Sequence, residues 1–475
     1  MTPTVVALPH RFDLWALPAL ITGLVWLCGF DGVGGFIFAV IPGTALLATG
    51  TGLLMWPGSP KITQIMALGG ALGIVLAIPE LFITGLAYGI ALIVLSALSA
   101  VCAGRAALRH APRPAEAPAA PRGLKAAAKA ALDEALMGYF VGTAQLPDGA
   151  KAQALCERCE RLEELLKSAA WADPALFNAA PPAPDDAVTQ PMHAGHVAGL
   201  QLSFTSGYTP PQGLPGVPAW LRDSADARAQ ARVYHASGSG RPWLIGIHGY
   251  RMGADWLDTS MIPPRLFAEH LGYNLVLPVL PLHGVRKAGW RSGDYYLDGE
   301  MTDFLFAQAQ ALWDLRRTVA WIRSQEADAH IGVLGYSLGG FNAALLAAHE
   351  PSLDFVVAGI PLTEPAALLW SVLPQPHRDY FASQGIDPPR FAKLLKLVSP
   401  LALPPKLPRE RLAIFAGTGD RIVPPDQPLR LSKHWDVPVR WYDGGHLTFR
   451  GEHVVMDSVR ELAAAAGWAA AGSAA

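Results

Sequence analysis

Ser337 stands in Gly335-Tyr336-Ser337-Leu338-Gly339, after the apolar run Ile331-Gly332-Val333-Leu334 and before the small-residue stretch Phe341 to His349. A serine hydroxyl attacks a carbonyl when it is held at the apex of a sharp turn and a base can take its proton. Glycines two residues to either side let a strand and a helix approach without a side-chain clash, so the stretch reads as a nucleophile elbow. Such a serine needs a base, a carboxylate to orient that base, and donors for the oxyanion. The acid candidate is Asp420, in Gly417-Thr418-Gly419-Asp420-Arg421-Ile422-Val423-Pro424, just past the apolar run Leu412 to Ala416. The base candidate is His446, in Tyr442-Asp443-Gly444-Gly445-His446-Leu447, just past Val437 to Tyr442.

The elements that must position these residues follow from hydrophobic patterning. Strands are expected at Leu200 to Thr205, Gln230 to His235, Trp243 to His248, Tyr273 to Leu280, Ile331 to Tyr336, Phe355 to Ile360, Leu412 to Ala416 and Val437 to Tyr442. Helical stretches lie between most of them, including Asp303 to Arg323 and Phe341 to His349. This alternation predicts an α/β domain with a mostly parallel sheet, helices on both faces, and ligands at the carboxyl ends of the strands. The first two strands have no helix between them and are expected to be antiparallel.

From about residue 200 to 468 the chain resembles an alpha/beta-hydrolase-fold serine hydrolase, in which nucleophile, acid and histidine follow in that order. Ile247-His248-Gly249-Tyr250 is similar to the family's oxyanion loop, where the residue after His-Gly donates a backbone amide. The resemblance implies Tyr250 as one donor and the amide of Leu338 as the other, with His248, Gly249, Gly335 and Gly339 as the supporting motif. Pro281-Leu282-His283-Gly284 is a rival His-Gly pair, and its loop position matches the family less well. Glu364 is the alternative acid, because some members of the fold place the carboxylate after that strand. The insertion at about 361–405, with Trp370, Leu373, Tyr380, Phe381, Phe391, Leu394 and Leu395, is expected to form a lid. Its apolar residues suit a greasy acyl group or simply pack the lid itself.

Only 16% of residues are charged and 51% are hydrophobic, and that imbalance is concentrated in the first hundred residues. Four apolar runs, Leu14 to Phe30, Gly32 to Trp56, Ile62 to Pro79 and Leu81 to Cys102, each approach the roughly 20 residues a helix needs to span the hydrocarbon core. Asp31, the Trp56 to Lys61 stretch and Pro79-Glu80 punctuate them. A four-span arrangement puts Arg11, Lys61, Arg105, Arg109 and Arg113 on one side and Asp31 and Glu80 on the other, which makes the former side cytoplasmic. The expected organisation is therefore an integral membrane protein of the cell or inner membrane. It has an all-α transmembrane bundle at 1–104, a basic, proline-alanine linker and helical segment at 105–199, and a cytoplasmic catalytic domain at 200–470.

Within the linker, Ala111 to Arg122 reads as an extended spacer, and Arg105, Arg109, Arg113, Arg122, Lys125 and Lys129 make the region basic, which suits anionic headgroups. Helices are expected at Leu124 to Phe140 and Lys151 to Trp171. Cys156-Glu157-Arg158-Cys159 with His193 and His196 has the wrong spacing for a zinc finger, so the cysteines are placed on a helix and the histidines in a loop. Cys28 and Cys102 lie inside apolar runs, which fits a reducing compartment. Charge is balanced, 37 Lys and Arg against 39 Asp and Glu, and gives no sign of a nucleic-acid partner.

No metal or organic cofactor is implied. The expected partners are an ester, thioester or lipid substrate and membrane lipids. The expected chemistry is hydrolysis of a carboxylic ester or thioester through an acyl-enzyme. Two alternatives stand beside it: acyl transfer by the same triad, and a non-catalytic interaction protein built on a hydrolase fold.

Overall fold

A computed structural model describes residues 4–5, 12–168, 172–194, 197–220 and 227–468; Arg11, Trp171 and His196 lie outside them. The chain divides into two compact units. One comprises Met1–Ala144, Ala416–Asp426 and Trp441–Glu452, and the other Gln145–Phe415, Gln427–Arg440 and His453–Ala475.

The first unit is built on five helices: α1 (Leu17–Gly29), α2 (Gly32–Met55), α3 (Pro60–Ile83), α4 (Leu86–His110) and α5 (Leu124–Thr143). Three of them, α2, α3 and α4, are long and apolar enough to cross a membrane; the apolar segment Leu14–Gly29 is shorter. The bundle is apolar on its outside as well as in its core, where Trp26, Leu46, Leu53, Met66 and Leu92 are buried. Its outer surface carries Ile21, Leu24, Ile37, Ile41, Val75, Ile78, Phe82 and Val94, all exposed, while Thr22, Ser96 and Ser99 are fully buried. Thr22 Oγ1 meets Ser99 Oγ at 2.9 Å, and the Trp26 indole donates to Ser96 Oγ at 3.2 Å. Hydrocarbon offers no competing hydrogen bonds, so polar side chains in such a bundle face one another and aliphatic ones face out.

The break expected at Pro79-Glu80 is not there. Helix α3 runs through both residues to Ile83 and stops at Gly85, whose φ of +125° only glycine adopts readily. Thr84 N and Gly85 N both donate to Glu80 O, and Glu80 Oε2 accepts from Thr84 Oγ1 at 2.5 Å, so this acid is buried within the helix rather than displayed in a turn.

Two of the basic residues expected to face headgroups are also engaged internally. Arg113 Nη2 donates to Thr418 O at 2.6 Å, and Lys129 Nζ pairs with Glu452 at 2.6 Å. Arg113 also belongs to a two-residue strand that pairs with Thr4–Val5, so Ala111 to Arg122 is not a plain extended spacer.

The second unit carries most of a nine-stranded sheet. Its strands are β1 (Val188–Ala194), β2 (Val197–Thr205), β3 (Arg228–Tyr234), β4 (Trp243–Ile247), β5 (Asn274–Val279), β6 (Ile331–Tyr336), β7 (Phe355–Gly359), β8 (Leu412–Gly417) and β9 (Val439–Tyr442). The spatial order is β9-β8-β7-β6-β4-β5-β3-β2-β1. Strands β8, β7, β6, β4 and β5 are mutually parallel, so their carboxyl ends share one edge. From β5 outward the sheet turns antiparallel through β3, β2 and β1.

Helices cover both faces of the sheet, among them α7 (Met301–Gln325), α8 (Leu338–His349) and α9 (His453–Ala465). Every residue of β4, β5, β6, β7 and β8 is buried, as continuous apolar runs in a covered parallel sheet must be. Strand β1 places His193 in the sheet rather than in a loop, because its backbone pairs with Ala198 in β2. The paired cysteines do lie on a helix, α6 (Gly149–Leu165), both buried, with Cys159 Sγ against Met301 Sδ at 3.8 Å.

One charge is sealed beneath the antiparallel flank. Arg232 of β3, 2% exposed, pairs with Asp258 at 2.7 Å and donates to Gly253 O at 2.6 Å. Removing one partner of a buried pair leaves an uncompensated charge. Arg232→Met is expected to lower stability by about 3–5 kcal/mol, read as a shift in the denaturant midpoint followed by tryptophan fluorescence.

Candidate active site

Ser337 connects β6 to α8 with φ +58° and ψ −113°, a left-handed conformation rarely held by a residue other than glycine. Its amide donates to Gly359 O at 2.9 Å, and its carbonyl accepts from Phe341 N at 3.0 Å and Leu362 N at 3.3 Å. These bonds hold the turn from both neighbouring elements. A Cβ on Gly335 would fall 2.0 Å from Gly339 O, and one on Gly339 would fall 2.1 Å from Ile247 O. The flanking glycines are therefore required by close backbone approach, as the elbow reading expects.

The His248-Gly249 loop lies against this turn. A Cβ on Gly249 would sit 3.4 Å from Tyr336 O and 3.6 Å from Ser337 Cβ. His248 is fully buried; its Nδ1 bonds Gly249 O at 2.8 Å and its Nε2 accepts from Leu280 N at 3.1 Å. One ring nitrogen donates and the other accepts, which is the neutral tautomer, and burial pushes its pKa down. His248 thus shapes the loop and is not poised to take a proton.

The rival His283 is also buried, Nδ1 against Pro281 O at 2.8 Å, with its ring 5.1 Å from that of His248. Burial pushes its pKa well down, so it packs behind the loop. Tyr250 follows Gly249, and its phenol is held protonated, chiefly by burial. Leu338 is the first residue of α8, so its amide lies outside the helix's own i→i−4 ladder and is available in principle to an anion.

Asp420 and His446 belong to the first unit, in the turns that follow β8 and β9. His446 Nδ1 meets Asp420 Oδ2 at 2.7 Å, and both residues are buried. Asp420 Oδ1 accepts from Ile422 N at 2.9 Å and Val423 N at 2.8 Å, which fixes the carboxylate. The imidazole's Nδ1–H thus points at a held anion, leaving Nε2 as its basic atom. Burial pulls the His446 pKa down, but the charge and hydrogen bond of Asp420, with a further contribution from Asp133, outweigh it and the net direction is up. The alternative acid Glu364 is engaged elsewhere, paired with Arg430 at 2.8 Å.

A carboxylate that sequence reasoning missed completes this cluster. Asp133 of α5, with no exposed surface, accepts from His446 N at 2.6 Å, Leu447 N at 3.1 Å and Arg421 N at 3.1 Å. The available signal was an Asp-Glu pair inside an otherwise alanine-rich helix.

The insertion after β7 forms three short helices, Pro365–Val372, Gln375–Ser383 and Pro388–Leu394. Phe381 and Leu394 are buried in the insertion, whereas Leu395 and Leu401 join Phe304, Phe341 and Thr363 around a cavity of about 330 Å³. Phe341 lies one turn past Ser337 along α8, so this cavity adjoins the elbow's helix.

Sheet order, the strand-to-helix elbow and the inserted lid helices define the second unit as an α/β-hydrolase fold. No protein-family model matches the chain. Two proteins of Mycobacterium tuberculosis, each described as uncharacterized, are 35% identical to it over 283 residues, covering 58% of this chain. The chain spans 66% of the length of these curated relatives. Among solved structures, acetyl xylan esterase 1 from Thermoanaerobacterium is 19% identical with a TM-score of 0.43, covering 67% of this chain and 96% of that one. An acetyl xylan esterase from Paenibacillus is 14% identical with a TM-score of 0.43, covering 69% and 98%. The acylaminoacyl peptidase of Pyrococcus horikoshii is 15% identical with a TM-score of 0.36, covering 58% and 46%.

The raised pKa of His446 has a definite sign. A folded value above the ordinary 6.5 means that the protonated pair with Asp420 adds stability below about pH 6.5, and that this is lost as pH rises through the folded value. NMR titration of the histidine ring is expected to place the His446 midpoint above 6.5, and Asp420→Asn to lower it. An unmoved midpoint would show that Asp420 does not govern the imidazole.

Proposed function

We propose that this protein is a membrane-anchored serine hydrolase that cleaves a carboxylic ester or thioester through an acyl-enzyme. Ser337 Oγ attacks the carbonyl carbon while His446 Nε2 takes its proton, and Asp420 holds the resulting imidazolium. The amides of Tyr250 and Leu338 receive the oxyanion, each donor contributing on the order of 3 kcal/mol to the transition state. His446 returns its proton to the leaving oxygen or sulfur. It then activates water, whose attack releases the acid and restores the serine.

The observation that carries this reading is the left-handed backbone of Ser337 at the turn between β6 and α8, a strain of about 1–3 kcal/mol held in place by the close approach of the flanking glycines. The Asp420–His446 hydrogen bond supports it from the other side of the chemistry, and the reading requires Nε2 of that histidine to reach Oγ. The cavity beside Phe341, walled by Leu395 and Leu401 together with Glu364, Lys393 and Lys396, suits a substrate that is apolar along part of its length and polar elsewhere. The apolar exterior of the bundle supports the anchor. Lys61 at the start of α3, with Arg105 and Arg109 near the end of α4, favours a cytoplasmic catalytic face.

Isolated membranes treated with a fluorophosphonate probe are expected to show labelling of the native chain and none of Ser337→Ala. A folded native chain that stays unlabelled would count against the hydrolase and in favour of a binding role. Asp420→Asn is expected to slow labelling by about 10³- to 10⁴-fold. An unchanged rate would show that Asp420 does not serve the base.

A further inference from the structure

The turns bearing the acid and the base are held by a helix that lies 288 to 314 residues earlier in the chain. Asp133 accepts three backbone amides: Arg421 N beside the acid, and His446 N and Leu447 N at the start of the 3₁₀ turn that carries the base. Its neighbour Glu134, also fully buried, accepts from Arg421 Nε at 2.8 Å and from Thr63 Oγ1 on α3 at 2.7 Å. One turn earlier, Lys129 donates to Asp443 O at 3.0 Å and to Glu452. Helix α5 is itself locked to the bundle, because α4 presents Gly104, where a Cβ would fall 2.1 Å from Ala127 O.

We propose that Asp133 is a positioning residue for the His446–Asp420 pair, and that through α5 the placement of the base depends on the apolar bundle; this rests on the hydrolase reading above. A cap for backbone amides could be any small acceptor. An ionisable carboxyl sealed against an acid and a base does more, since its charge acts on the imidazole. The charged and titratable groups around it are Asp420, His446, Arg421, Glu134, Lys129, Glu452 and Tyr442. Burial first, then the Asp420 charge, push the Asp133 pKa up to about 7, while His446 and the amide hydrogen bonds act against that rise. The Asp133 anion in turn raises the His446 pKa, so the ionisation of each group depends on the charge of the other.

The test uses the full-length chain in membranes and the rate of fluorophosphonate labelling across pH. In the native chain the rate is expected to rise with pH over a range broader than a single ionisation. Asp133→Asn is expected to slow labelling by roughly tenfold or more, to move the midpoint to lower pH and to narrow the transition to one ionisation. Gly445→Ala tests the same contact from the opposite side, because its Cβ would lie 2.5 Å from Asp133 Oδ2, and it keeps the test decisive if Asp133→Asn does not fold. It is expected to slow labelling and to shift the midpoint in the same direction. Native midpoints in both variants would overturn the proposal, as would a variant that melts earlier yet keeps the native pH profile, since that is the signature of packing alone. A native chain unlabelled at every pH would instead overturn the hydrolase reading.

Discussion

The turn at Ser337 is a conformation that the chain can hold only because everything around it is packed. A left-handed non-glycine residue costs about 1–3 kcal/mol, and that cost is met by the fully buried strand β6 before it and the almost fully buried helix α8 after it. The two flanking glycines, which bring the backbone of α8 to within contact of the end of β4, and the bond from Ser337 N to Gly359 O tie the turn to its neighbours. With its backbone so constrained, the hydroxyl is presented by the fold and not by a mobile loop. That is the preorganisation a nucleophile requires.

A second constraint is electrostatic. Asp420, Asp133, Glu134 and His446 are all buried in the first unit, where an unpaired charge would be prohibitively costly. Each carboxylate is satisfied by a different means: Asp420 by two amides and the imidazole, Asp133 by three amides, and Glu134 by a guanidinium and a hydroxyl. The backbone supplies most of these donors, so the turns must keep their shape for the charges to be tolerated. Geometry and charge here sustain each other.

The bundle follows a different solvent logic. Alanines, hydroxylated residues and a few large apolar side chains such as Trp26 and Leu46 fill its interior, and Ile, Leu, Val and Phe also face outward, the arrangement expected where the surrounding medium is as apolar as the side chains. Glu80, buried near the end of α3 with Thr84 as its donor, departs from that apolar character. The sequence placed it in a turn because proline beside an acid usually ends a helix. In the bundle, α3 continues until Gly85 permits the backbone to leave.

Much was legible from local pattern. The apolar runs, the elbow spacing and the alternation of strands and helices determined the α/β fold and its parallel core, because buried parallel strands read as continuous hydrophobic runs and need helical crossovers. The antiparallel flank was only half visible: β1 contains Pro191 and polar residues, as an edge strand tolerates, so its pattern is weak. Candidate residues Ser337, Asp420 and His446 stood out because each follows an apolar strand at a glycine-bearing turn. Their order along the chain decided nothing about which acid serves the histidine. Only the tertiary structure pairs His446 with Asp420 and Glu364 with Arg430, since side-chain partners are set by three-dimensional packing. Asp133 belongs wholly to that level: its three amide donors lie 288 to 314 residues away, and no local periodicity can report a contact made across that separation.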